Sequence, residues 1–322
     1  FVPPWYGERM RALGEHRCAS VIFSGPVAPN LLEDLDPARV GRDMLPRTRE
    51  WSELLLERTT NWCVCACPNV GWARLVYPEL EPGAALERLW ADLAHVCRLD
   101  EPDPIAAWET RLATLAATAA RLTEYRFDAL HFQGPGTELT IGLLPTSGWQ
   151  TARYTTVNGI SHLANLPTEE VFTTPDPERV DGVVRATMPV FVSGVLVRGL
   201  RVRFEAGRAV QIDADQGAGA LRSLTDRDAG ARRLGEVALV DREGRIGALD
   251  TVFFDVLLDE NTASHIALGN GFDFAVDRGD AQRINRSAIH LEFMIGSDEI
   301  SVTGITADRE NVPVLRSGTW QI

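Results

Sequence analysis

The sequence has neither an excess of basic residues nor a long apolar run, and each absence excludes a class of protein. Its 32 Lys and Arg residues are outnumbered by 45 Asp and Glu residues, which gives a formal net charge of −13 at pH 7. Binding to nucleic-acid phosphates needs a basic surface, so no nucleic-acid partner is expected. No apolar stretch approaches the ~20 residues of a membrane-spanning helix, so no membrane partner is expected and the composition is that of a soluble globular protein.

Cysteine is scarce, and its spacing is not typical of a zinc site. Five cysteines are present, and Cys63, Cys65 and Cys67 alternate along one segment. Structural zinc sites usually pair two Cys-x-x-Cys turns, which are absent here, so we interpret the segment as a buried strand of small residues. Free cysteines and an acidic composition are typical of a cytoplasmic enzyme. The chain shows no signal peptide and begins at Phe1 rather than Met, so we expect an N-terminal piece to be missing.

The first half of the chain alternates strand-like and helix-like segments. Residues 17–23 and 61–67 predict buried strands, and residues 129–132 and 139–144 predict two more. Helices are predicted around residues 48–58, 84–97 and 104–125, the last with Asp103 as N-cap and Pro104 in the first turn. This alternation indicates an α/β layer domain, which we assign to residues 1–147.

The second half consists mostly of short extended runs separated by Gly, Asp and Asn. Runs at residues 190–197, 200–204, 209–212, 237–240 and 300–302 predict strands, and residues 221–231 predict a short helix. The pattern indicates a β-rich α+β domain over residues 148–322. Every candidate metal ligand lies in this domain, so we assign it as the metal-binding catalytic domain.

The segment 289–296 carries the strongest chemical signal in the chain. It is apolar except at His290 and Glu292, which are two residues apart and therefore point to one face of a strand. Phe293 and Ile295 point to the other face. Burying a carboxylate is costly unless a partner neutralises it, and a metal ion is the simplest partner because it also binds the histidine.

Several motifs together resemble a known family. The chain is similar to the aminopeptidase S, aminopeptidase T and PepS group of dimetal aminopeptidases, over nearly its whole length. The resemblance rests on stretches that occur in the same order: 165–173 (NLPTEEVFT), 234–240 (LGEVALV), 259–269 (DENTASHIALG), 289–296 (IHLEFMIG) and 304–308 (GITAD).

The resemblance implies a metal site with two divalent ions. Its ligands are three carboxylates and two imidazoles, a mixture of oxygen and nitrogen donors that suits Zn, Co or Mn: Glu170, Glu236, His265, His290 and Glu292. Because Glu169 and Glu170 point to opposite faces of an extended segment, only one can face an ion, and the resemblance selects Glu170. It further implies Glu236 as a catalytic group, a metal-activated water, short peptide substrates and a homodimer.

Two positions depart from the family pattern. The family has Asp where this chain has Glu292, which keeps the carboxylate on a longer side chain. It also has a tyrosine seven residues after the first histidine, where this chain has Phe272. Since losing one hydrogen-bond donor to a developing oxyanion costs roughly 10²–10³ in rate, we expect impaired activity and expect Phe272→Tyr to raise it.

Three functions stay open at this point. The first is the aminopeptidase. The second is a mononuclear non-haem iron ring-cleaving dioxygenase of the 2,5-dihydroxypyridine type, whose scaffold is also similar, with His265, His290 and Glu292 as the iron triad. Retention of Glu170 and Glu236 favours the aminopeptidase, because a single iron does not need them. The third is a catalytically impaired homologue that kept the fold.

Polar residues near these motifs are candidates for supporting roles. Asp259, Glu260 and Asn261 are predicted to orient His265 by hydrogen bonds. His162, just before the 165–173 motif, is a candidate for a similar role, and Glu169 is either such a group or solvated.

Overall fold

The computed structural model describes residues 3–26, 34–36, 50, 54, 58–192 and 194–322. The α-helices of this part of the chain are α1 (Pro4–Glu15), α2 (Val70–Val76), α3 (Pro82–Val96), α4 (Pro104–Tyr125), α5 (Ala218–Thr225), α6 (Arg245–Ala248) and α7 (Val256–Asp259). One 3₁₀ turn covers Asp273–Ala275. None of these helices combines the length and the apolar character needed to span a bilayer.

The strands of the first half, as far as residue 185, are β1 (Ala19–Ser24), β2 (Asn61–Ala66), β3 (Ala129–Gly134), β4 (Thr137–Leu143), β5 (Arg153–Thr155), β6 (Ser161–Leu163), β7 (Asn165–Leu166), β8 (Glu170–Thr173) and β9 (Pro175–Arg185). Those of the second half are β10 (Val190–Val192), β11 (Val195–Val197), β12 (Arg201–Glu205), β13 (Arg208–Asp213), β14 (Leu234–Val240), β15 (His265–Gly269), β16 (His290–Met294), β17 (Ser301–Ile305), β18 (Asn311–Arg316) and β19 (Thr319–Trp320).

The fold is α/β with both parallel and antiparallel sheets. An eight-stranded sheet has the order β13-β12-β9-β4-β3-β17-β18-β19, and a four-stranded sheet has the order β16-β15-β14-β8. Strands β1, β2 and β7 form a small parallel sheet, while β5–β6 and β10–β11 are two-stranded.

The predicted boundary between residues 147 and 148 does not separate the sheets. Strands β3 and β4 precede it, yet β4 pairs with β9 and β3 pairs with β17, so both sides of the boundary contribute to one sheet. Strand pairing joins segments far apart in the sequence, and the local alternation of elements does not reveal it. The division into two domains at this position stays a prediction that strand pairing does not favour.

The main hydrophobic core lies between the eight-stranded sheet and one face of the four-stranded sheet. It includes Phe132 and Ile141 from the larger sheet and Val237, Ile266 and Phe293 from the smaller one. The apolar residues of β8, β14, β15 and β16 that enter this core alternate with those on the opposite face. The opposite face is therefore free to carry polar side chains, and the candidate site lies there.

Most predicted helices and strands are present, with small differences at their ends. Helix α4 has the predicted cap, because the Ala106 amide donates to Asp103 Oδ1 at 3.0 Å. Its stripe from Trp108 to Leu122 is buried, but Ile105 is 76% exposed. The helix predicted at 221–231 begins and ends earlier in the chain, as α5 (Ala218–Thr225). The strand predicted at 190–197 is divided into β10 and β11.

Two predictions for the first sixty residues have different outcomes. The strand predicted at 17–23 forms as β1, but it is not buried, since Val21 is 62% and Phe23 is 68% exposed. The hydrophobic run gave the correct element, but burial also depends on what covers the strand. Most of the helix predicted at 48–58 lies outside the described residues.

Candidate metal centre

The strand register of the four-stranded sheet places all five predicted ligands on the face opposite the core. Directly opposed residues of antiparallel strands point to the same face. Ala267 of β15 lies opposite Glu236 of β14 on one side and Glu292 of β16 on the other. The same face carries three further side chains at two-residue steps: His265 opposite Ala238, Glu170 opposite Val240, and His290 opposite Gly269.

The five side chains form two groups that share Glu236. Glu170, Glu236 and His265 offer ligand atoms that all lie within 4.8 Å of one another, and so do Glu236, His290 and Glu292. The structure therefore brings together the five residues that the sequence predicted as ligands. The sequence did not reveal that Glu236 is the member common to both groups, which only the register of β14 between β8 and β15 shows.

The first group is buried. His265 Nε2 lies 3.2 Å from Glu170 Oε2, and the two side chains are 1% and 6% exposed. Burial, partly offset by His265, raises the pKa of Glu170 above its ordinary value. Burial alone would lower the pKa of His265, but the contact with Glu170 and the charges of Glu236 and Glu292 raise it to about 9.

The second group is centred on His290. Its Nε2 lies 3.0 Å from both Glu236 Oε2 and Glu292 Oε1. Burial alone would lower the pKa of His290, but the hydrogen bonds to Glu236 and Glu292 raise it to about 10. Burial alone would raise the pKa of Glu292, and the hydrogen bond from His290 instead holds it well below its usual range.

The two histidines present the same nitrogen to the carboxylates. His265 Nδ1 lies 3.2 Å from the carbonyl oxygen of Ala263, and His290 Nδ1 lies 2.9 Å from that of Asn270. A carbonyl oxygen only accepts hydrogen bonds, so Nδ1 carries the proton in both rings. Each Nε2 is thereby directed to the site as a potential metal ligand.

The residues fit one or more divalent cations. Three carboxylates and two imidazoles form a mixed oxygen and nitrogen donor set, and carboxylates gathered at a buried site need a compensating charge. Within the described part of the chain, Glu170 Oε2 is a buried oxygen without a properly oriented hydrogen-bond donor. A metal ion would satisfy that oxygen.

The prediction that Asp259 and Glu260 orient His265 is wrong. Asp259 Oδ1 accepts a hydrogen bond from the Phe253 amide at 2.8 Å, while His265 Nδ1 faces a backbone carbonyl. Glu260 instead contacts Glu292, and burial followed by the charge of Glu292 raises its pKa well above the ordinary value. The partners of the imidazole are instead the Ala263 carbonyl and Glu170 of β8, which sequence proximity alone did not show.

Two amide side chains fix Glu260. Asn165 Nδ2 and Asn261 Nδ2 donate to Glu260 Oε1 at 3.2 Å and 3.3 Å. Asn261 also accepts a hydrogen bond from the Glu169 amide at 2.6 Å. Asn261 therefore connects the 165–173 and 259–269 motifs, and its supporting role concerns Glu260 and β8 rather than His265.

Glu169 is neither solvated nor directed at the metal ligands. Its side chain is fully buried and forms ion pairs with Arg98 Nη2 at 2.8 Å and Arg111 Nε at 2.5 Å. Arg98 also lies over the Trp108 ring, 4.2 Å from its centroid. Glu169, just before β8, and Glu170, its first residue, thus serve two sites, and the arginines involved had no signal in the local sequence.

Aromatic rings form one side of the site. Phe272 lies 5.2 Å from the His290 ring and 5.3 Å from each of Phe172 and Phe274, measured between centroids. Tyr154 extends this row, at 5.3 Å from Phe274. We call Phe172, Phe272, Phe274 and Tyr154 the aromatic wall. The sequence marked Phe272 as a site position, but Tyr154 was not recognised.

His162 lies against aromatic rings rather than against a predicted ligand. Its ring centroid is 4.8 Å from that of Trp62 and 6.0 Å from that of Tyr154. Neither of its nitrogens has a hydrogen-bond partner among the residues that the structure describes. Its contact with the site is through Tyr154.

Comparison with known proteins shows the family to which this chain is similar. The family model described as thermophilic metalloprotease (M29) matches residues 1–320. Aminopeptidase T of Thermus aquaticus is 44% identical over 329 aligned positions, covering 99% of this chain and 80% of the relative. Aminopeptidase 2 of Geobacillus stearothermophilus is 33% identical over 322 positions, covering 97% and 78%.

A solved structure agrees with these sequence relatives. Wild-type AmpT from Thermus thermophilus matches with a TM-score of 0.89 and 42% identity, covering 99% of this chain and 80% of that one. The match includes the sheet that carries the five predicted ligands, because nearly the whole chain is superposed. The chain therefore belongs to the thermophilic metalloprotease (M29) family.

Proposed function

We propose that this protein is a metal-dependent aminopeptidase that releases N-terminal residues from short peptides. The observation that carries the proposal is the pair of ligand groups joined by Glu236 on one sheet face. Membership of a metalloprotease family and relatives named as aminopeptidases agree with it. Two divalent ions, with Zn, Co and Mn as candidates, complete the proposal.

Each ligand group has a defined task in this proposal. Glu170, Glu236 and His265 hold one ion, while Glu236, His290 and Glu292 hold the other. Bound ions of this kind supply Lewis acidity and a water of lowered pKa, which is the chemistry of metal-assisted amide hydrolysis. Glu236 belongs to both groups and therefore keeps the two positions together.

The remaining parts of the proposal concern the substrate and the assembly. A peptide with a free α-amine supplies a nitrogen ligand at one end, which accounts for removal of the N-terminal residue. The aromatic wall contributes apolar surface beside the ligands. A cytoplasmic location and a homodimer belong to the proposal as predicted from the sequence, and sedimentation of the metal-loaded protein tests the dimer.

The dioxygenase alternative is less well supported. An iron triad of His265, His290 and Glu292 leaves Glu170 and Glu236 buried beside it without a function. Both carboxylates lie in the ligand groups, which supports a site for two ions rather than one. A dioxygenase of Pseudomonas putida KT2440 matches with 12% identity and a TM-score of 0.46, a likeness that carries no argument.

The test combines metal content with hydrolysis. After re-metallation, we expect two ions per chain by elemental analysis and cleavage of leucine 4-nitroanilide, but no cleavage of the N-acetylated amide. His290→Ala removes the nitrogen between Glu236 and Glu292, so we expect at least one ion to be lost together with activity. His131→Ala is the matched control, since His131 pairs with Glu138 and Thr140 on the larger sheet.

Two results would contradict the proposal. One is a re-metallated parent that fails to cleave the free aminoacyl amide. The other is a His290→Ala variant that binds metal as tightly as the parent. A single tightly bound iron with turnover of a dihydroxypyridine would instead support the dioxygenase.

A further inference from the structure

Hydrolysis of an amide places negative charge on the carbonyl oxygen, and a hydrogen-bond donor beside the ligands would stabilise that charge. Phe272 is the aromatic residue next to His290, and it has no polar group. A side-chain donor that assists the ions would therefore come from another residue that borders the same sheet face. The inference below rests on the proposed aminopeptidase function.

The four tyrosines of the chain differ in their surroundings. The hydroxyl of Tyr77 bonds to Asp92, next to α3. Tyr125 stacks on Phe127 at 4.9 Å, and Tyr6 lies against Trp5 near the N-terminus. Tyr154 alone among them belongs to the aromatic wall beside the predicted ligands, through its contact with Phe274.

The backbone holds Tyr154 close to β8. Gln150 forms a β-bridge with Phe172, with hydrogen bonds in both directions at 2.8 Å and 3.1 Å. This antiparallel bridge attaches the chain to β8, which carries Glu170, shortly before β5 and Tyr154 begin. The Ala164 amide donates to the Ala152 carbonyl at 2.9 Å and fixes the same segment from its other side.

Two neighbouring aromatic rings pack against the ring of Tyr154. It meets Phe274 edge to face at 5.3 Å and stacks on Trp62 at 5.6 Å. Burial, followed by the negative charges of Glu170 and Glu236, raises the pKa of Tyr154 above its ordinary value. The phenol therefore keeps its proton and lies within the electrostatic reach of both carboxylates, which belong to the metal centre.

We propose that Tyr154 is a catalytic residue whose hydroxyl donates a hydrogen bond to the substrate carbonyl oxygen as negative charge develops there. No covalent bond forms or breaks at the phenol, and its proton stays on the tyrosine oxygen. The rigid packing against Trp62 and Phe274 orients the donor before substrate binds. In this assignment Tyr154 of β5 supplies the hydroxyl that Phe272 lacks, so the rise in activity predicted from the sequence for Phe272→Tyr is no longer expected.

The experiment compares five proteins that carry the same metal. These are the parent, Tyr154→Phe, Phe272→Tyr, Tyr125→Phe as a matched control, and the double variant Tyr154→Phe/Phe272→Tyr. The substrate is leucine 4-nitroanilide, and a calorimetric measurement follows binding of leucine phosphonic acid, a tetrahedral mimic of the transition state. Elemental analysis measures the metal content of each protein.

For Tyr154→Phe we expect kcat to fall by roughly 10²–10³, with KM little changed and metal content equal to the parent's. The affinity for leucine phosphonic acid should fall in parallel. The Tyr125→Phe variant should behave as the parent does. In the double variant, the new hydroxyl beside His290 should restore much of the lost rate.

Three results would overturn the assignment. The first is an unchanged kcat in Tyr154→Phe, and the second is loss of metal from that variant, which would show a structural role. The third is a large rise in kcat from Phe272→Tyr alone, because that would show that the parent lacks the donor. Failure of the proposed function itself is distinguishable, since the parent would then not cleave the amide at all.

Discussion

At the scale of single residues, His265 and His290 each place Nε2 among carboxylates and donate from Nδ1 to a backbone carbonyl. Without metal, the neighbouring carboxylates favour the protonated imidazoles, with pKa values of about 9 and about 10. A metal ion needs the neutral ring, so it competes with these protons for the same nitrogen atoms.

Metal binding should therefore release protons at neutral pH. Both histidines are protonated below their raised pKa values, so metal affinity should rise as the pH increases from 6 towards about 9 and should level off above about 10. Calorimetric titration of the metal-free protein with zinc in two buffers of different ionisation enthalpy measures the number of protons released. Affinity independent of pH, with no proton release, would refute this account of the site.

At the scale of elements, β8 connects the metal centre to a buried charge cluster. Glu170 points to the ligands, while the adjacent Glu169 points to Arg98 and Arg111, with side chains 8% and 16% exposed. A buried pair of this kind is costly to break, since removal of one partner leaves a charge without compensation. The strand is therefore held in register from the side opposite the metal ligands.

Glu169→Gln should strongly destabilise the protein. The substitution keeps the size of the side chain but leaves the two arginines without their shared carboxylate, and we expect a loss of about 3–5 kcal/mol in the free energy of unfolding. Glu138→Gln is the matched control. The Glu138 side chain is 59% exposed and pairs with His131 at the surface, so its loss should cost only about 0–1 kcal/mol. Urea unfolding of the metal-free proteins measures the free energy of unfolding of both variants. A similar decrease in the two variants would contradict the stabilising role of the buried charge cluster.

At the scale of the whole molecule, the eight-stranded sheet joins segments from both halves of the chain. β3 and β4 lie between β9 and β17, and their buried side chains include Leu130, Phe132, Leu139 and Ile141. Helix α4 packs on the same core through Leu115 and Leu122. The four-stranded sheet rests on this core, so the geometry of the candidate metal centre depends on residues before 147.

A fragment of residues 148–322 should fail to fold cooperatively. Without β3 and β4, the strands β9 and β17 lose their hydrogen-bonding partners and the core loses its central apolar side chains. A fragment of residues 97–322, which keeps Arg98, α4, β3 and β4, is the control and should retain cooperative unfolding. Thermal unfolding of both fragments by circular dichroism makes the comparison. A cooperative transition in the shorter fragment would support the predicted boundary at residue 147.

The sequence by itself determined the features that depend on local periodicity. The alternation in 289–296 placed His290 and Glu292 on one face and Phe293 on the other, as β16 shows. Capping by Asp103 and the apolar stripe that follows predicted α4. These predictions succeeded because the faces of a strand or helix follow directly from the spacing of its residues.

Only the tertiary structure decided which segments meet. Glu169 is 71 residues from Arg98, and Gln150 pairs with Phe172 although β5, β6 and β7 lie between them, so neither contact has a signature in residue spacing. The exposure of β1 and the inclusion of β3 and β4 in the large sheet likewise depend on the packing of distant elements. Strand partners and burial are set by interactions summed over the whole fold, and a local pattern contains no information about them.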